Sequence, residues 1–169
     1  MKKEEKYLTS LSGERMVSKT HGRIVFRGLI DTLEAEVIEA QVLAAAQGAD
    51  ALCANLGEVL NYLRSLMAAE VREAPLPPPA LFGLNAEELH RQSHAGSIPL
   101  PSYTQGPLAA RINTLRAKVR EAELLAVKVF GGTGADGTEA GKTEEREDII
   151  LALNRLSSAL WWLYGRVGE

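Results

Sequence analysis

A single cysteine, Cys53, and only three histidines stand among the 169 residues. The chain can therefore build neither an internal disulfide nor a thiolate metal cluster, and it carries no Ser-His-Asp or Cys-His signature. Cys53 lies between Leu52 and Ala54 in a helical stretch and reads as a small buried hydrophobe. Neither sign of charge dominates, with 19 basic against 22 acidic residues and a net charge of −3. That balance gives no global field for nucleic acid or an anionic membrane, so any anion site must be local. Apolar runs are interrupted by charges well short of a membrane span, and MKKEEKYLTS at the start has basic residues with no apolar segment behind them. The expectation is a cytoplasmic protein, neither secreted nor membrane-embedded. An alternating strand pattern is also missing, which points to an all-α class.

What is present is helical periodicity in a chain whose 46% hydrophobic content suffices for one buried core. The run from Arg23 to about Gln47 lacks proline and is rich in helix formers. After Gly48, Leu52, Leu56, Val59, Leu63 and Leu66 keep one stripe along a second helix that ends before the extended PLPPP stretch from Pro75 to Pro79. A short helix is expected from Ala86 to Gln92, and a turn-rich loop from Gly96 to Gly106 is a candidate lid bearing Ile98 and Leu100. The fourth helix, Pro107 to Val129, carries Leu108, Ile112, Leu115, Val119, Ala122, Ala126 and Val129 in a four-three stripe. A last helix from about Glu145 to Arg166 repeats it with Ile149, Leu153, Leu156, Leu160, Leu163 and Val167. The result is a single helical domain over residues 1–169.

The segment Gly131 to Glu147 is rich in glycine and charge and reads as a mobile surface connection. Its Gly141, Lys142 and Thr143 resemble the end of a phosphate loop, but Asp136 occupies the position where that motif needs glycine, and a helix precedes it where a strand is required. Glu87 with His90, and His90 with His94, have helical metal-ligand spacing, but a di-metal bundle needs a second such pair and further glutamates, so no protein metal site is assigned. These histidines read as surface or hinge residues. Trp161 and Trp162 read as bundle core and interface.

The chemistry-bearing pattern is on the fourth helix. Arg116, Arg120 and Glu123, spaced by four and three, project from one stripe a single residue round from the apolar one. An arginine fork there is partly shielded and still reaches an anion or another subunit. Asn154, one residue after Leu153, occupies the same border on the fifth helix. Periodicity alone favours a solvated face with an intrahelical Arg120–Glu123 pair, because such pairs are common and weak.

Three separated segments decide between these readings. They are GERMVSKTHGRIVFRGLIDTLEA, with Lys19 nine residues before Gly28 and then Asp31, Leu33 and Ala35; RAKVREAE, an Arg-x-x-x-Arg-x-x-Glu helix; and LNRLSS, from Leu153 to Ser158. Together, and in this order, they resemble the ATP:corrinoid (cobalamin) adenosyltransferases. MVSKTHGRIVFRG, GLNAEELHRQSH and LRAKVREAE look most like the ethanolamine-utilisation branch. The resemblance runs from about Ser10 to Leu163 and implies a five-helix bundle assembled as a homo-oligomer, a trimer, with ATP at a subunit interface and the corrinoid in the adjacent cavity. It implies further that residues 1–22 wrap the nucleotide, that Lys19, Arg120 and Asn154 contact ATP, and that Glu123 orients the site. Arg116 and Asp31 would form a salt bridge between subunits, and Ile98 and Leu100 would touch the corrinoid.

Two departures bear on details. Where the propanediol-utilisation branch has a glycine-rich nucleotide loop with an aspartate, this chain has YLTSLSG, leaving open which of Thr9, Ser10 and Ser12 meets phosphate. Ser158 stands where the LNRLSD motif ends in aspartate. Ethanolamine-branch members often carry an N-terminal extension whose histidine and three cysteines bind a transition metal, and the sequence starts after that point, so the expectation is Mg2+ with ATP. The implied reaction needs no general base, because the reduced corrinoid supplies the nucleophile. A reductase and an adenosylcobalamin-dependent lyase are the implied partners, and association with a microcompartment is left open. The alternative is a catalytically silent helical module that binds and delivers a corrinoid.

Overall fold

The computed structural model describes residues 7–131 and 146–168, so most of the glycine-rich segment, including Asp136 and Gly141 to Thr143, lies outside the described residues. Five helices form the body: α1 (Gly22–Ala46), α2 (Asp50–Val71), α3 (Ala86–His94), α4 (Gly106–Phe130) and α5 (Glu147–Tyr164). Their sequence stripes are their buried faces. Phe26, Ile30, Leu33, Val37, Ala40 and Ala44 of α1 meet Leu56, Val59, Leu63 and Leu66 of α2, and the stripes of α4 and α5 complete one core. Burying a side chain of the Leu, Val or Phe class contributes about 1.5–3 kcal/mol, which is what holds helices of ordinary propensity together.

The expected bounds hold to within a few residues, with local reasons for the shifts. His21 caps α1 by accepting the Arg23 amide at 3.2 Å. Asn85 and Glu88 form a reciprocal capping box that starts α3. On α4, Phe130 is buried more deeply than Val129 because its ring meets Phe26 edge-on at 5.2 Å. On α5 the buried stripe ends at Leu163 and Tyr164, leaving Val167 half-buried. Cys53 is half-buried too, packed at the edge of the core.

One element departs from the all-α expectation. Strands β1 (Leu8–Ser12) and β2 (Arg15–Ser18) form an antiparallel hairpin with an irregularity between Ser10 and Ser12 and Gly13 in the left-handed turn at φ 52°. Only Leu11 of the hairpin is buried, so no period-two apolar pattern was there to read.

The hairpin is tied to the bundle by a charge cluster of its own. Arg23 and Arg27, one turn apart on α1, each direct Nε at one oxygen of the fully buried Glu70 carboxylate on α2, at 2.5 Å. Arg27 Nη1 also donates to the Leu11 carbonyl at 2.8 Å, and Arg23 Nη1 reaches Glu73 at 2.7 Å. Glu73 takes the left-handed conformation, φ 55°, that ends α2, where the Ala74 amide donates to the Ala69 carbonyl at 2.9 Å. The remaining Arg27 nitrogen, Nη2, is buried without a partner among the described residues.

The proline-rich stretch after α2 is non-helical, as expected, and is fastened on both sides. Tyr62 donates its hydroxyl to the Pro77 carbonyl at 2.9 Å, and the Leu76 amide donates to Asp148 at 2.8 Å. Asp148 in turn receives two 2.9 Å bonds from Arg146.

Candidate active site

Helix α1 runs antiparallel to α4, with Phe26 beside Phe130, Glu36 paired to Lys118 and Glu39 to Arg111. This register lays the hairpin end of α1 against the C-terminal end of α4. Arg120 is ten residues from Phe130, hence roughly 15 Å along the helix from that end. Asp31, five residues beyond Phe26, comes about level with the turn of α4 that carries Glu123. It is exposed and makes no ion pair within the described chain.

Arg116 and Arg120 are the distinctive feature of this region. Arg116 is half-buried and Arg120 exposed. Among the described residues, neither has a carboxylate within ion-pair reach. The Arg116 guanidinium lies instead over the Trp161 ring of α5, 4.7 Å from its centroid. Burial, and then the like charge of Arg120, pull the Arg116 pKa below the ordinary arginine value. An arginine still stays protonated at neutral pH, so among the described residues the stripe presents two positive charges with no ion-pair partner.

The intrahelical Arg120–Glu123 pair that spacing allows does not form. Glu123 faces across to α5, where its Oε1 accepts a 2.9 Å hydrogen bond from Asn154 Nδ2. Asn154 Oδ1 accepts from Arg155 Nη1 at 2.7 Å. With one end of the amide on a carboxylate and the other on a guanidinium, its orientation is fixed. Glu123 and Asn154 thus form one rigid unit beside the two arginines.

The other marked residues sit apart from this unit. Ser10 donates its hydroxyl to the Gly13 carbonyl at 2.8 Å, shaping the hairpin turn. Lys19 follows β2 with its side chain exposed, and its amide closes the hairpin onto the Tyr7 carbonyl at 2.8 Å. Ile98 and Leu100 face different surroundings. Ile98 packs on Gly165, where even a methyl group would lie 3.1 Å from Ile98 Cγ1, whereas Leu100 is 85% exposed.

Sequence reading passed over Tyr103, 92% exposed in the 3-10 turn Tyr103–Gln105; an aromatic inside a turn-rich loop, with no periodic partner, was the available signal. It also passed over Arg23, Arg27 and Glu70, which are joined across more than forty residues. His90 and His94 are both exposed, as expected, with ring centroids 4.5 Å apart. Among the described residues no cluster of three or more His, Cys, Asp or Glu side chains could hold a metal ion, and no helix is long and apolar enough to cross a membrane.

Glu123 and Asn154 are thus joined across α4 and α5, with Arg116 and Arg120 on the same stripe of α4 as Glu123. The sequence profile of cobalamin adenosyltransferases matches residues 1–167. The chain belongs to the cobalamin adenosyltransferase family. All five helices and the N-terminal hairpin fall within the matched span. The chain is 34% identical over 160 residues to the corrinoid adenosyltransferase EutT of Salmonella typhimurium (strain LT2) and 35% identical to the protein of the same name in Escherichia coli (strain K12). Each alignment covers 91% of this chain and 56% of the relative, so the chain spans just over half the length of these relatives. No solved structure matches the chain.

Proposed function

We propose that this protein transfers the 5′-deoxyadenosyl group of ATP to a reduced corrinoid, giving adenosylcobalamin and triphosphate, as a member of the ethanolamine-utilisation branch. The observation that carries this reading is the pair of arginines, Arg116 and Arg120, without an ion-pair partner among the described residues, beside the Glu123–Asn154 couple. In the reaction the reduced cobalt of the corrinoid attacks the ribose C5′; the cobalt–carbon bond forms as the carbon–oxygen bond to triphosphate breaks. The corrinoid is thus both substrate and nucleophile, and the protein's tasks are alignment, exclusion of water and stabilisation of the leaving anion.

Arg120, exposed and with no carboxylate in ion-pair reach among the described residues, serves to grip the triphosphate with charge-assisted hydrogen bonds. Lys19 and Ser10 bring the hairpin over the phosphates. Asn154, its amide held by Glu123 and Arg155, orients the nucleotide. Magnesium accompanies ATP on the phosphate oxygens, in keeping with its preference for substrate phosphates over all-protein cages. Leu100, exposed on its loop, covers the corrinoid, with Ile98 anchoring that loop to α5.

In this reading the site is completed in a homotrimer, where Arg116 meets Asp31 of a neighbouring subunit. The face of α1 that carries Asp31 suits burial against another copy, since Ile38 and Val42 on it are 44% and 63% exposed. The protein works in the cytoplasm with a corrinoid reductase upstream and an adenosylcobalamin-dependent lyase downstream.

The test is direct. Purified protein is incubated with ATP, magnesium and cobalamin under a strong reductant, and the visible spectrum is followed for cobalt–carbon bond formation. Adenosylcobalamin is the expected product. Tight corrinoid binding with no adenosylcobalamin would replace this reading with that of a carrier.

A further inference from the structure

Arg116 is held in an unusual way for a half-buried cation. Where Arg23 and Arg27 are fixed by a carboxylate, Arg116 is fixed by the face of an indole. A carboxylate partner would neutralise the guanidinium and occupy its in-plane N–H groups, whereas a ring beneath it attracts the charge and leaves those donors directed outward. Trp161 therefore sets the position of Arg116 without consuming its hydrogen-bonding capacity.

Trp161 is itself braced. Tyr164, three residues later on the same face of α5, stacks on it with ring centroids 5.1 Å apart and planes 5° from parallel. The Tyr164 hydroxyl donates to Gln105 Oε1. That same oxygen accepts the Ser102 amide at 2.7 Å, which closes the 3-10 turn leading into α4. A continuous series of contacts thus runs from the exposed loop of Leu100 and Tyr103, through Gln105, Tyr164 and Trp161, to Arg116.

The neighbouring tryptophan shows that this is not what any tryptophan on α5 does. Trp162 also has an arginine over its ring, Arg166 at 3.5 Å, but Arg166 bonds the carbonyl of Trp162 itself, one turn back in the same segment. That contact finishes a helix end. The Trp161 contact joins two helices and ends on a residue of the candidate active site.

Resting on the transferase reading above, we propose that Trp161 is a positioning residue for Arg116, with Tyr164 and Gln105 locking its ring and linking it to the loop before α4. The test is a double-mutant cycle on kcat/KM for ATP, with folding checked by thermal unfolding. Trp161→Leu, which keeps an apolar side chain but removes the ring, should lower kcat/KM about three- to thirty-fold, the range expected for a cation–π contact. Trp161→Phe should restore most of it. In the Arg116→Ala background the Trp161→Leu change should add little. Tyr164→Phe, which removes only one hydroxyl and keeps the stack, should give a smaller loss in the same direction and covers the case in which Trp161→Leu does not fold.

A second readout does not require turnover. The Arg116 Nε–H resonance should be displaced by the indole ring current in the wild type and return to an ordinary arginine position in Trp161→Leu. Losses that are the same in the presence and absence of Arg116, in a wild type that does transfer adenosyl groups, would overturn the positioning role and leave the transferase reading intact. An undisplaced Arg116 resonance would overturn the contact whatever the activity. A wild type that transfers nothing removes the transferase reading and the positioning role together.

Discussion

Two arginine pairs share the same spacing and have opposite electrostatics. Arg23 and Arg27 on α1 converge on the buried carboxylate of Glu70, while Arg116 and Arg120 on α4 face no carboxylate among the described residues. The difference lies in what the facing helix supplies. Opposite α1, helix α2 presents Glu70 at full burial. Opposite the arginine stripe, α5 presents Trp161, and Glu123 is already engaged by Asn154. A closed cluster is costly to break, since removing one partner leaves the others' charge buried and unmatched. An open one suits an incoming anion, because no carboxylate among the described residues neutralises it.

The contrast can be broken most forcefully at Glu70. Glu70→Ala strands two arginines at the base of the hairpin and should destabilise the protein by about 3–5 kcal/mol in urea unfolding, as expected for removing one partner of a buried pair. A loss under about 1 kcal/mol would put the cluster among ordinary surface pairs and erase the distinction.

Arg120→Ala probes the other side. It should leave the unfolding midpoint near that of the wild type while lowering kcat/KM for ATP by about ten- to a hundred-and-fifty-fold, the equivalent of a charge-assisted hydrogen bond at roughly 1.5–3 kcal/mol. Unchanged ATP kinetics would remove Arg120 from the site.

The smallest effect is expected at a second closed pair, Arg146 and Asp148. Burial works against the Asp148 charge, but the hydrogen bonds from Arg146 and from the amides of Leu76 and Ile149 outweigh it and hold the carboxyl below the usual aspartate range. A carboxyl with a depressed folded-state pKa contributes stability above its unfolded value, near 3.8, and loses it as pH falls through the folded one. Asp148→Asn should therefore lower stability slightly at pH 7 and flatten the decline below about pH 4. An acid limb identical to the wild type's would show that the pair adds nothing.

The bundle was legible in the sequence because its cause is periodic. A stripe such as Leu108, Ile112, Leu115, Val119, Ala122 and Ala126 states which face is buried, and each of these residues is buried. The hairpin was not legible, since strands of five and four residues with one buried side chain carry no alternation. The Arg116–Arg120–Glu123 stripe could be counted along one helix, whereas its partner Trp161 could not, because a contact between helices 45 residues apart leaves no local mark. Glu70 was hidden for a related reason: a lone glutamate on an apolar helix reads as a solvated residue until its two arginines are placed. Local order was readable, and pairing across the fold was not.

Among the described residues the hairpin buries one side chain, that of Leu11, whose carbonyl is bonded by Arg27. A segment with one buried side chain should open at a lower free energy than the five helices. Its amides from Leu8 to Ser18 should exchange with solvent deuterium as one cooperative group, earlier than those of α1, while the helices stay protected. A segment that comes away and returns without disturbing the body beneath it leaves a ligand on that side free to come and go on the hairpin's own clock.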